Sequence, residues 1–158
     1  MLCYLPMSKQ LEHSESKLPI FGTFLTLLAF GVSFSLIPPL ITTIADEMSV
    51  NYASFGYIIM FQAVSFFLAA IIGGWICERH SVNSRTLVVV GLLIAGLTLL
   101  LGSTLTKMTW FIIWAIPLGF GGGLIETFAA ILVAQNDKPR SSKLMNLGQV
   151  FFCLGALS

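Results

Sequence analysis

The chain has 158 residues, 56% of them hydrophobic and only 9% charged, with a net charge of +1 and a mean hydropathy of +0.92. That balance excludes a soluble globular domain, and no Lys/Arg cluster is dense enough to suggest a nucleic-acid surface. It describes an all-α integral membrane protein whose first partner is the lipid bilayer.

In chain order, residues 1–18 open on a short apolar scrap and turn polar through S-K-Q-L-E-H-S-E-S-K, a tail expected in water. The transmembrane bundle is expected over 19–158. Its first span, 19–45, begins at Pro19, a residue suited to a helix start, and carries Pro38 and Pro39 two-thirds of the way along, where a bend is expected. The second span, 55–77, contains Gln62 and finishes at Gly73-Gly74, before a charged turn from Glu78 to Arg85. The third, 86–105, holds nothing charged, and Lys107 sits in the tight turn before the fourth, 110–134. After Q-N-D-K-P-R-S-S-K a fifth apolar run, 144–158, falls short of the roughly 20 residues a span needs. Four complete spans and a truncated fifth are therefore expected. Cys3, Cys77 and Cys153 have no C-x-x-C or metal-ligand spacing and read as packing residues, with no disulfide, metal or cofactor implied.

Charge placement sets the orientation. With the N-terminus cytoplasmic, the inner segments carry Lys9, Lys17, Arg79, Arg85, Lys138, Arg140 and Lys143, and the outer turns carry only Lys107. The fourth span is the most unusual stretch, because the apolar run from Trp110 to Ala134 holds P-L-G-F-G-G-G-L-I-E at its centre. Gly119 and Gly123 form a small-xxx-small face for close helix approach, and Pro117 removes one backbone hydrogen bond. Glu126 lies beyond Gly122 and Gly119 on about the same face, so it is expected to point at protein or a water-filled cavity. An ionised carboxylate at mid-membrane costs about 2.5–3.5 kcal/mol on insertion scales, most of which protonation removes.

The turn after the second span, Gly74-W-I-C-Glu78-Arg79-H-Ser81, resembles the loop signature between helices two and three of the major facilitator superfamily. Glu78 stands where Asp is usual and Ser81 where Gly is usual, and Arg85 is the only later positive charge. The resemblance implies a conformational latch made of Gly74, Glu78, Arg79 and Arg85; the plain alternative is a charged cytoplasmic turn obeying the positive-inside rule.

Further on, G-F-G-G-G-L-I-Glu126-Thr127 and Leu144-M-Asn146-L-G-Gln149-V-Phe151 resemble the fourth and fifth helices of fucose permease-like sugar:proton symporters within that superfamily. Ala130 occupies a place where those permeases often have Asn. The resemblance covers the first part of a twelve-helix transporter. It implies no enzyme activity, a plasma (inner) membrane location, a small polar solute, and protons carried by Glu126, with Gln149 and Asn146 at the sugar. It also implies that five-sixths of one bundle transports nothing alone, so the missing C-terminal half or a complementary chain is an expected partner.

In such folds span four corresponds to span one, and Gly31 with Pro38-Pro39 answers Pro117 with Gly119 to Gly123, which points to a site between those helices. Coupling requires the proton to change the relative stability of two states. The alternative for Glu126 is a structural hydrogen bond to a neighbouring helix. Gln62, Asn146 and Gln149 suit sugar hydroxyls but equally suit interhelical hydrogen bonds, the better reading for Gln62. Trp75, Trp110 and Trp114 fall near span ends, where an aromatic belt accounts for them. Two further readings stand open: a self-contained membrane protein acting through helix packing with a partner, and a transporter of drugs or organic anions.

Overall fold

The computed structural model describes residues 17–35, 53–102, 104–105, 107–136 and 141–157. They form five helices: α1 (Lys17–Ser35), α2 (Ala53–His80), α3 (Ser84–Gly102), α4 (Met108–Asn136) and α5 (Ser141–Ala156). Three helical stretches, Phe55–His80, Ser84–Gly102 and Thr109–Gln135, are long and apolar enough to cross a membrane, whereas the apolar part of α1 among the described residues is Phe21–Ser33. Three spans are thus complete among the described residues, and the expected first span, 19–45, runs beyond them. Pro38 and Pro39, with the expected bend, lie outside them, as does the tail up to Ser16.

The helix α4 is the axis of the bundle and packs on each of the other four. The reason is steric. Successive helical residues are about 100° apart, so Gly121, Gly122 and Gly123 face three directions, and each meets a different neighbour. A Cβ on Gly121 would lie 2.8 Å from the Gly91 carbonyl oxygen of α3, and one on Gly122 would lie 2.7 Å from the Phe30 ring of α1. One on Gly123 would collide with the Phe66 carbonyl of α2, and one on Gly119, a turn earlier, with that of Gln62. Without a hydrophobic force between helices in lipid, such backbone approach is what brings them together.

Contact order gives direction. Phe55 and Ile58 pack with Phe111 and Ala115 at one end, while Gly73 meets Phe128 towards the other, so α2 and α4 run parallel. Gly91 meets Gly121, while Trp114 reaches back to Thr98, so α3 is antiparallel to α4. On the remaining side α1 and α5 close on each other through Gly31 against Phe152 and Gly155 against Leu28, with the Phe24 and Phe151 rings stacked at 5.3 Å.

Two expectations change here. Glu78, Arg79 and His80 are helical, not part of a turn, because these residues tolerate helix well once the chain has left the apolar core. The break is confined to residues 81–83, where Ser81 adopts φ 50°, the left-handed conformation that ends many helices. Cys77 packs in the buried cluster with Ala69, Leu124 and Phe128, but as a disulfide cysteine, whereas Cys153 is free and exposed.

Candidate functional site

Two cavities flank the contact between α1 and α4, the pair that the Gly/Pro interruptions single out. The first, about 140 Å³, lies towards the C-terminal half of α4 and is lined by Glu126, Ala130 and Val133, by Leu27 of α1, and by Met145, Asn146, Gly148 and Gln149 of α5. Three of the four polar residues singled out in the spans therefore converge. Helical spacing explains how: Asn146 and Gln149 are three residues apart, hence on one face of α5, and Gly148 beside them lets that helix approach Leu27, at 3.1 Å from an added Cβ.

Glu126 is half-buried in this cavity. Among the described residues its carboxylate has no hydrogen-bond partner. A carboxylate and two amides facing one small space can accept and donate hydrogen bonds to a hydroxylated solute, and the carboxylate can take up and release a proton.

The fourth residue, Gln62, is elsewhere. It lines the second cavity, about 120 Å³, with Phe30 and Ser33 of α1, Ala95 and Gly96 of α3, and Leu118 and Ile125 of α4. This cavity sits towards the N-terminal half of α4 and is apolar apart from the Gln62 amide and the Ser33 hydroxyl, which donates to the Ala29 carbonyl at 2.9 Å.

Two interhelical hydrogen bonds brace this half of α4. The helix continues unbroken through Pro117, and the buried Ser65 hydroxyl of α2 donates to the neighbouring Ile116 carbonyl at 2.6 Å. The Trp114 indole N–H donates to the Thr98 carbonyl near the end of α3. Trp114 thus packs inside the bundle instead of joining an aromatic belt, while Trp75 and Trp110 are exposed. Ser65 carries a readable signal, a hydroxyl one turn after Gln62 in an apolar span. Trp114 carries none, since only packing separates an inward from an outward Trp.

At the far end of α2, Gly74 is exposed with open space around it, and Glu78 and Arg79 are exposed. The Arg79 guanidinium lies over the Trp75 ring at 5.6 Å, and the His80 ring meets the same indole edge-on at 6.1 Å. The Arg85 N–H begins α3 by donating to the Asn83 side chain at 3.2 Å.

A family model described as Major Facilitator Superfamily matches residues 21–158. No curated protein and no solved structure gives a significant match.

Proposed function

Because the chain belongs to the major facilitator superfamily, a family of secondary transporters, we propose that it helps move a small polar solute, a sugar, together with protons by alternating access. The observation that carries this reading is the convergence of Glu126, Asn146 and Gln149 on one cavity between α1, α4 and α5. Glu126 binds the proton, the two amides read hydroxyls, and the neutral loaded site lets the bundle rock, because an uncharged carboxyl crosses the low-dielectric state at less cost than a charged one. A lone carboxylate with two neutral amides favours a neutral polyol over an organic anion.

At about 140 Å³ the cavity is smaller than the roughly 300 Å³ at which small-molecule pockets begin. Its remaining walls are assigned to a second bundle, a C-terminal half or a complementary chain, about which the helices rock. Glu78, Arg79 and Arg85 are placed at the cytoplasmic end of α2 and α3 as the latch, with the N-terminus cytoplasmic in the plasma (inner) membrane. In this reading Arg79 is held over Trp75 in one state and released to a partner in the other.

Accumulation of radiolabelled hexoses, L-fucose among them, in vesicles under an imposed pH gradient tests the reading with the full protein. Glu126→Gln is expected to abolish uphill accumulation, and Asn146→Ala and Gln149→Ala to raise KM. Undiminished accumulation by Glu126→Gln would remove its coupling role.

A further inference from the structure

We propose that the Gln62 cavity is a separate binding site, open to the bilayer, for a neutral hydroxylated aromatic molecule of about the size of phenol. It stands apart from the transport reading, because the two cavities share no lining residue. The inner wall of the Gln62 cavity is fixed. Its Phe30 ring seats on Gly122, where an added Cβ would lie 2.7 Å from Cζ, meets the Phe152 ring with centroids 5.9 Å apart, and packs on the cluster of Ala95, Leu118 and Ile125. The site is therefore preformed, and binding asks for no rearrangement of that wall.

The outer side is open. Both α1 and α3 pack on α4 but barely touch each other, and the gap between them is rimmed by exposed residues, Ala29 of α1 and Leu92, Gly96 and Leu99 of α3. A Cβ on Gly96 would meet nothing within 4 Å, so there is room at the mouth. Because α3 is long and apolar enough to cross a membrane, such a gap opens on lipid, and a ligand reaches it dissolved in the bilayer. Size narrows the choice. At about 120 Å³ the cavity is well below the roughly 300 Å³ of a pocket for a drug-sized molecule. It is close to an apolar cavity of about 150 Å³ that holds one benzene.

Polarity narrows it further. The half-buried Gln62 amide has no hydrogen-bond partner among the described residues. Ser33 donates its proton to the Ala29 carbonyl at 2.9 Å and so offers the cavity only lone pairs. An amide left unpaired against apolar walls is costly, and a ligand hydroxyl that donates to its oxygen or accepts from its nitrogen removes that cost. A lipid tail fills the same space but leaves the amide unpaired, so the hydroxyl is what favours the ligand over the surrounding lipid. No charged residue lines the cavity, which selects a neutral molecule. The Phe30 ring offers a face or edge to an aromatic guest.

Photolabelling by meta-azidophenol of the full protein in liposomes, with the adducts located by mass spectrometry, tests the site. Saturable adducts are expected in α3 between Leu92 and Leu99 and in α1 between Ala29 and Ser33, displaced by phenol but not by benzene at equal concentration in the bilayer. Gln62→Leu, which keeps the bulk and removes the amide, is expected to cut this labelling several-fold. Gly96→Leu, which puts a side chain at the mouth, is expected to cut it as well and is read independently of how Gln62→Leu inserts. Adducts that spread over the exposed faces without saturating, or that miss both segments, would overturn the site, as would labelling that benzene displaces as well as phenol or that neither variant changes. Because labelling needs neither a proton gradient nor a sugar, failure of the symport reading leaves this outcome readable.

Discussion

The helices α2 and α4 run parallel, both long and apolar, yet they occupy opposite situations. In its apolar window α4 is 56% buried, whereas α2 is 22% and α3 is 28% buried, although α2 and α3 are the more apolar. Hydrophobicity does not decide which helix goes to the middle of a membrane bundle, because lipid is as apolar as any neighbour. Small residues decide it. Gly119, Gly121, Gly122 and Gly123 on α4 between them touch three other helices, while Gly73 on α2 and Gly91 and Gly102 on α3 touch α4 alone, and Gly56, Gly74 and Gly96 would accept a Cβ without a contact. The site follows from the same contrast: only a helix with neighbours on every side can hold a carboxylate away from lipid.

The contrast breaks most sharply at α4. Gly123→Ala and Gly119→Ala press a methyl into carbonyls that cannot move aside, and are expected to cost towards the upper end of about 1–3 kcal/mol in reversible SDS unfolding in micelles. Next comes Phe128→Ala, which empties a position 1% exposed beneath Gly73. In a bilayer the transfer part of that cost is largely absent, which leaves the cavity part, about 2 kcal/mol by the same measurement. Ser81→Gly works in the opposite direction: with φ at 50°, the glycine relieves left-handed strain and is expected to stabilise by about 1 kcal/mol. Smallest is Gly96→Ala on α3, within about 0.5 kcal/mol. If it cost as much as Gly123→Ala, small-residue packing would not be what separates the two kinds of helix.

Much of this was legible beforehand, for reasons that can be named. Glu126, Asn146 and Gln149 are rare polar residues in apolar runs, and helical spacing puts Asn146 and Gln149 on one face, but that Glu126 lines the same cavity depends on how α4 and α5 pack. Gly119 and Gly123 show their shared face in the same way, and the family signature around Glu78 and Arg79 is local. Other features depend on three-dimensional neighbours. Gln62 looks like Gln149 as a residue type, yet it opens on a different cavity. Trp114 resembles Trp110 by position near a span end, and only the approach of α3 at Gly102 and Thr98 turns it inward. The three-way role of Gly121, Gly122 and Gly123 needs a neighbour on each side. Glu78, Arg79 and His80 at the end of α2 are helical although their charge suggests a turn, because polarity marks the end of the apolar run, not the end of the helix. Ser81, where the related pattern has Gly, marks the helix end through its backbone.

The measurement that bears most directly on Glu126 is solute-induced alkalinisation of a lightly buffered suspension of cells expressing the full protein, read beside exchange of labelled for unlabelled sugar. With a proton site at Glu126, the wild type removes protons from the medium as solute enters, and Glu126→Gln, which resembles the protonated form, exchanges sugar without moving protons. Proton uptake of equal size in wild type and Glu126→Gln would contradict the account, and the coupling group would then have to be sought outside this cavity.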